Sequence, residues 1–384
     1  MRAHPLFPGL LFLSLPLLAP VPATAASDPV AALLAVKPEG QGNTAASTAW
    51  KELVNTASPA QWPGIIGAMD GANALSQNWL RGAVYTLADR EKAAGRPFPL
   101  DGLTTFLKNT SHGGAGRMLA ADLVKQADPA AWAVLMPAFL EDPEAMLRRE
   151  PVAALLTKAT AEKDKEGLRK ALHAARDQDQ VRAATDELRG LGETVDLPRH
   201  YGFLLDWKVI GPFDNKDRKG YDAVFPPEKG VDPAASYPAS TPDAAPLKWQ
   251  PFTGQNEFGI IDFNKPLGML KETTAYAVTT FQSSEARDAE IRLGCKNAWK
   301  VWLNGEPLFG RDEYHRGMKI DQYALPVKLK AGANEILVKC CQNEQTETWT
   351  VEWEFQLRVC DASGTAILAP DRPPTPETAL KGKL

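Results

Sequence analysis

From Ala31 to Leu191 apolar positions recur every three or four residues, the spacing of one helix face, in a stretch rich in Ala and Leu. Ser58-Pro59 and Asp128-Pro129 each read as an N-cap followed by proline at the first helical position, where the missing N–H costs no hydrogen bond. The segments Ala57–Trp62 and Ala127–Trp132 echo one another at a distance of two periods of about 35 residues, a length typical of stacked helix pairs. A middle copy fits between about Pro97 and Gln126, with its first helix over Leu100 to Lys108. In the second helix of each copy an arginine precedes a leucine by six positions: Arg81 and Leu87, Arg117 and Leu123, Arg149 and Leu155. Two further helices are predicted, Lys163 to Arg176 and Gln178 to Leu188, with Gly190 and Gly192 as stops. Their basic residues, Arg169, Lys170, Arg176, Arg182 and Arg189, alternate with acids and read as a solvated face.

Beyond Tyr201 the period changes to two. Strands are predicted over Ala275 to Phe281, Ala289 to Cys295, Lys300 to Leu303, Pro307 to Phe309, Asn334 to Cys341 and Thr350 to Cys360. Asn304-Gly305 accepts the positive φ angles of a type I′ turn and predicts a hairpin. Alternation places Ile291, Leu293 and Cys295 on one inner face, Ile336, Val338 and Cys340 on another, and Trp353, Phe355, Leu357 and Val359 on a third. Tyr221 to Pro251 is rich in Pro and Ala and reads as a long loop or a wrap over the sandwich.

The helical half resembles HEAT repeats over about Thr56 to Ala159, on the Arg-to-Leu spacing and the Ala-rich faces between. The second half carries Trp207-Lys208-Val209-Ile210-Gly211-Pro212-Phe213-Asp214-Asn215, then Gly220-Tyr221-Asp222, Phe225-Pro226-Pro227-Glu228 and Val301-Trp302-Leu303-Asn304-Gly305. This series resembles the C-terminal β-sandwich of secreted HEAT-repeat-containing proteins of planctomycete-type bacteria. The hairpin is also similar to the galactose-binding-like jelly roll appended to secreted glycoside hydrolases. The chain departs from that pattern at Cys295-Lys296-Asn297, where Ser-Asp-Asp or Ser-Asp-Asn is usual, and at Cys340, where an aliphatic residue is usual. The resemblance implies an α+β multidomain chain, all-α HEAT-like repeats followed by an all-β jelly-roll sandwich. The expected division is a signal peptide over 1–25, the helical repeats over 26–196, the sandwich over 197–370 with the wrap at 221–251, and a disordered tail over 371–384.

The N-terminus supports the first of these. Arg2, an apolar run from Leu6 to Leu18 and Ala23-Thr24-Ala25 have the order of a secretory signal peptide, with cleavage near Ala25. That run is too short to span a bilayer, and no later stretch is long enough. The expected location is periplasmic or extracellular. With 43 Lys and Arg against 47 Asp and Glu, no concentrated basic face is available for nucleic acid. Six of the ten Trp and all four Cys lie beyond residue 200, which places any aromatic or thiol chemistry in the sandwich.

Candidate chemistry concentrates in Arg311-Asp312-Glu313-Tyr314-His315-Arg316, in the loop after the hairpin. An acid, a histidine and two arginines there suit a polar ligand, or a general acid–base pair. Tyr314 and Tyr323 flank the loop as possible walls of one cleft. Trp299 and Trp349 sit beside polar residues at strand ends and are the candidates for stacking on a sugar, while the other Trp residues read as core. Cys295 and Cys340 share inner faces and are the disulfide candidate, with buried free thiols as the alternative; Cys341 and Cys360 point outward. No metal-ligand spacing occurs, so no cofactor is expected beyond a structural Ca²⁺ at Asp262, Asp312 or Asp321. There is no G-x-S-x-G, H-E-x-x-H or phosphate-cradling loop. The expectation is a non-enzymatic interaction protein, with the helices taking a protein partner and the sandwich a glycan or cell-envelope component. The alternatives are a hydrolase or accessory subunit of a carbohydrate-active enzyme, and a purely structural envelope protein.

Overall fold

The computed structural model describes residues 28–239 and 245–380; the signal-peptide expectation and the last four residues lie outside them. Contacts divide the chain into two units, one up to Trp132 and one from Ala133 onward.

In the first unit, local signals set the helix starts. Asp28 caps α1 (Pro29–Leu34), its Oδ1 accepting from the Val30 N–H at 3.0 Å. α2 spans Asn43–Thr56. Ser58 and Gln61 close a capping box on a short turn that leads into α3 (Trp62–Gly67). Asn73 caps α4 (Ala74–Ala93), and α5 (Leu100–Lys108) and α6 (Gly114–Ala127) follow. The predicted helix over Leu100 to Lys108 is therefore observed. Leu80, Leu87, Leu103, Leu107 and Leu123 are fully buried, as are Trp62 and Ile66. Arg117 is buried with them, its Nε donating to the Leu107 carbonyl at 2.9 Å. Asp128 caps α7 (Pro129–Leu135) through the Ala130 and Ala131 N–H groups.

The second unit contains α8 (Ala145–Glu162), α9 (Lys165–Ala174), α10 (Gln178–Gly190) and α11 (Leu197–Tyr201). The buried arginine of α8 is Arg148, not Arg149; Arg149 is solvated and paired with Asp177 and Asp179. These helices bury Val152, Leu168, Ala171, Val181 and Leu188 in one cluster with Tyr201, Phe203, Leu205 and Ala379. The compositional change near residue 200 is thus a change of secondary structure, inside a single packed unit.

Strands follow from β1 (Asp206–Asp214). The segment after it holds α12 (Pro226–Lys229), β2 (Ser236–Tyr237) and β3 (Leu247–Lys248). Next come β4 (Gln250–Thr253), β5 (Ile260–Asp262), α13 (Asn264–Leu267), β6 (Thr273–Ser283) and β7 (Arg287–Cys295). β8 (Ala298–Leu303), β9 (Glu306–Arg311), β10 (Tyr323–Leu329), β11 (Gly332–Gln342) and β12 (Glu354–Cys360) complete the set, and α14 (Glu377–Leu380) ends the described chain. A six-stranded antiparallel sheet, β4-β1-β6-β11-β8-β9, and a four-stranded one, β10-β7-β12-β5, share a core. All ten residues assigned to inner faces by alternation lie in that core. The hairpin at Asn304-Gly305 has φ of 55° and 83°, as a type I′ turn requires. The outer face of the six-stranded sheet, including Ile210, Tyr276, Trp302 and Leu337, packs against Phe225, Val231 and Tyr237 of the Pro-rich segment.

Four sequence expectations are corrected. Thr350 to Trp353 is not strand; β12 begins at Glu354, although Trp353 remains fully buried. Trp299 is 1% exposed, because β8 begins at Ala298 and gives Trp299 the parity of Val301 and Leu303. Cys341 and Cys360 do not face water; overlying segments bury both. The segment after Pro370 is docked through Leu380: Arg372 donates to the Phe203 and Pro198 carbonyls at 2.9 and 3.1 Å, and Ala379 is fully buried.

Candidate functional site

Antiparallel pairing brings the C-terminal end of β1 beside the N-terminal end of β6, and that beside the C-terminal end of β11. The loops 215–225, 263–272, 312–322 and 343–353 therefore emerge at one end of the sandwich. Their polar residues interlock. Asn215, fully buried, donates from Nδ2 to the Gln342 carbonyl at 2.8 Å and to Tyr314 Oη at 3.2 Å. Its backbone N–H reaches the Glu272 carbonyl, and the Glu272 N–H reaches the Asn343 carbonyl. Asn343, also fully buried, holds His315 Nε2 at 2.8 Å through Oδ1. Arg218 grips Glu344 with Nε at 3.1 Å and Nη2 at 2.5 Å, and its guanidinium lies 5.2 Å from the Tyr314 ring centroid. That pairing holds the Glu344 carboxyl down to about 2, and burial raises the Tyr314 phenol above its usual range.

Two features set this end apart. Asp217, Arg218, Glu272, His315 and Asp321 adopt left-handed φ of 55°, 63°, 51°, 55° and 59°, five of the eight such non-glycine residues among those described. Each costs on the order of 1 kcal/mol, so the loops are held in place by their hydrogen bonds rather than by local preference. Asn215 Oδ1 is buried without a partner. Gly220 packs against it so closely that a Cβ would lie 2.6 Å away, so this loop needs glycine there.

The residues chosen from sequence disperse around this end. Tyr314 and His315 join the Asn215–Asn343 network. Arg311 and Asp312 are exposed; the Arg311 guanidinium lies over the Phe309 and Tyr323 rings at 5.2 and 6.0 Å. Arg316 pairs with Glu313 at 3.2 Å. Tyr323 packs on Trp299, with ring centroids 5.0 Å apart, and makes no ring contact with Tyr314, so the two tyrosines do not wall one cleft. Trp349 is 68% exposed on the 343–353 loop. No hydrogen bond links Asp312 to His315 among the described residues. Asp321 lies between Arg292 and Arg358, and Asp262 accepts from the Asn264 N–H. No group of three or more potential metal ligands occurs among the described residues. Cys295 and Cys340 are adjacent free thiols with Sγ atoms 3.7 Å apart across the sandwich. Burial and the neighbouring Cys295 push the Cys340 thiol up, and burial pushes Cys341 up to about 12.

The sequence reading missed Asn215, Arg218, Asn343 and Glu344. The available signal was positional: Asn215 and Asn343 directly follow strand ends, where a polar run marks a loop. No family model matches this chain, and no curated protein matches it.

Proposed function

We propose that this chain is an exported, non-catalytic binding protein: a HEAT-like helical array presents a surface to a protein partner, and a galactose-binding-like sandwich takes a glycan or another hydroxyl-rich envelope component at its loop end. The observation that carries the reading is that end itself. Strained loops cross-linked by Asn215, Asn343, Tyr314 and His315 form a pre-organised floor. Beside it stand the charged Arg218–Glu344 pair and an indole that the fold leaves in water. An exposed aromatic beside fixed polar groups suits a sugar, whose C–H face stacks while its hydroxyls exchange hydrogen bonds. The ring nitrogen of His315 is tied to an amide oxygen rather than to a carboxylate, which favours binding over general-base work.

A glycan array and a pull-down from cell-envelope extract, run with the full chain, test this. Specific glycan binding that Trp349→Ala abolishes supports the reading. A clean array together with an extract that yields no envelope component overturns it for the sandwich.

A further inference from the structure

A second concave site lies in the same unit, between α9, the 193–200 segment and residues 365–368, and shares no residue with the loop end. Its cavity is about 430 Å³, within the roughly 300–1,000 Å³ of small-molecule sites. One wall is apolar: Leu172, Leu188 and Leu368. The other is cationic, and its cations are poorly neutralised. The Arg176 guanidinium donates to the His173 and Ala175 carbonyls and to Thr365 Oγ1, while its Nε is buried without a partner. Neither Arg176 nor Arg199 pairs with a carboxylate within 4.0 Å among the described residues. The two acids at the rim are committed elsewhere. Glu193 receives both arms of Arg169 at 2.6 and 3.0 Å. Asp196 caps α11 through the Arg199 N–H and accepts from Thr375 Oγ1, each at 2.9 Å. The imidazoles of His173 and His200 make no hydrogen bond to a described residue. Burial, then Arg176, Arg358 and His173, hold His200 down to about 4. Burial, then Arg148, brings Arg176 to about 10. In both, burial is the larger cause, and the neighbouring cations add to it in the same direction.

We propose that this cavity binds a small organic anion: an oxyanion head, carboxylate or phosphate or sulfate ester, on an apolar body of aromatic size. Arg199 and His173 contact the head from the rim. Arg176 is a positioning residue that supplies fixed charge behind Thr365. The leucine wall takes the body. An anion there meets the guanidinium charge that Glu193 and Asp196 leave unpaired.

The test is isothermal titration of the full chain with 3-phenylpropionate, phenyl phosphate and phenyl sulfate, with 3-phenylpropan-1-ol as the neutral control. At least one anion binds saturably, and the tightest of the three identifies the head group. The alcohol binds at least about tenfold more weakly, the loss of one charge-assisted contact. Arg199→Ala, at an exposed position that leaves the core intact, weakens the anion by about tenfold with an unchanged melting temperature. The His173 and His200 ring signals in side-chain NMR shift on binding, and Trp349→Ala leaves the affinity unaltered, which separates this site from the loop end. Failure of all three anions, equal binding of the alcohol, or affinity indifferent to Arg199→Ala overturns the proposal.

Discussion

On the outer face of the six-stranded sheet, Lys339 is fully buried and fully answered. Its Nζ donates to Glu228 Oε1 at 2.8 Å and to the Ala223 and Tyr221 carbonyls at 2.7 and 3.1 Å, and Tyr276 Oη closes on the same carboxylate. On the outer face of the four-stranded sheet, Asp321 sits between Arg292 and Arg358, and Arg176 lies nearby without a carboxylate of its own. The first face buries one cation against one anion and uses the pair to fasten the Pro-rich segment. The second sets Asp321 and Glu290 against Arg292 and Arg358 and leaves Arg176 as the guanidinium without a carboxylate within 4.0 Å among the described residues. A balanced buried pair is a clasp; an unbalanced one leaves a field for something else to answer, and the cavity beside Arg176 is where that field opens to solvent.

The largest effect is expected on the balanced face. Lys339→Met takes the cation from the Glu228 carboxylate, which keeps Tyr276 Oη, and leaves the Tyr221 and Ala223 carbonyls without their donor. Breaking one half of a buried pair costs about 3–5 kcal/mol. Urea denaturation should show this loss, and amide hydrogen exchange should show faster opening of residues 221–239. A loss below about 1 kcal/mol would mean that water already serves those groups.

The cation-rich face should reveal itself in acid. His200 is held down to about 4, whereas an unfolded histidine titrates near 6.5. The unfolded chain takes the proton first, so stability falls as pH drops below about 6.5, and the loss is complete below about 4. Its full size is on the order of 3 kcal/mol. His200→Gln removes this component. Asp321 acts in the same sense at lower pH: burial opposes its ionisation, but Arg358 and Arg292 hold its carboxyl below the usual range. The difference between the pH profiles of the parent and His200→Gln therefore isolates the histidine. Identical profiles would mean that His200 is neither buried nor crowded by Arg176 and Arg358 in solution.

A smaller effect, about 2 kcal/mol, is expected for Asp321→Asn, because Arg358 keeps the Tyr201 and Gly364 carbonyls at 2.9 and 3.0 Å and the amide oxygen still accepts one bond. Chemical denaturation measures it. A loss as large as that of Lys339→Met would mean that the two faces are equally dependent on their carboxylates, and the contrast between them would fail.

The parts of this architecture legible in the chain were those set by local period. Alternation placed Ile291, Val338 and Leu357 in the core, and Asn304-Gly305 marked its turn, because each depends only on neighbours. Trp299 was misplaced because the sequence pattern starts the strand at Lys300 rather than Ala298, which puts Trp299 at a polar strand end instead of on the inner face with Val301. The polar assemblies were not legible. Lys339 meets Glu228 across 111 positions and Asn215 meets Tyr314 across 99, and no window of sequence contains both partners. Arg189 read as solvated because its partner, Glu257, lies 68 residues on, buried at 1% exposure. Helical spacing identified α9 and α10, but which of their basic residues met water was decided by segments far along the chain.

The smallest stability effect is expected at Trp349, and it bears on whether either face is more than scaffolding. The indole is 68% exposed on the loop between β11 and β12, where the two sheets end and neither buried cluster reaches. Its truncation to alanine removes little packed surface, so the change in unfolding free energy should stay within about 0.5 kcal/mol. If the loop end binds sugar by stacking, the same substitution costs about tenfold or more in affinity. A binding defect without a stability defect places recognition at the end of the sandwich and leaves Lys339 to hold the fold. A stability loss above about 1 kcal/mol would show that the indole packs in solution, and the exposed-aromatic argument for a glycan would lose its footing.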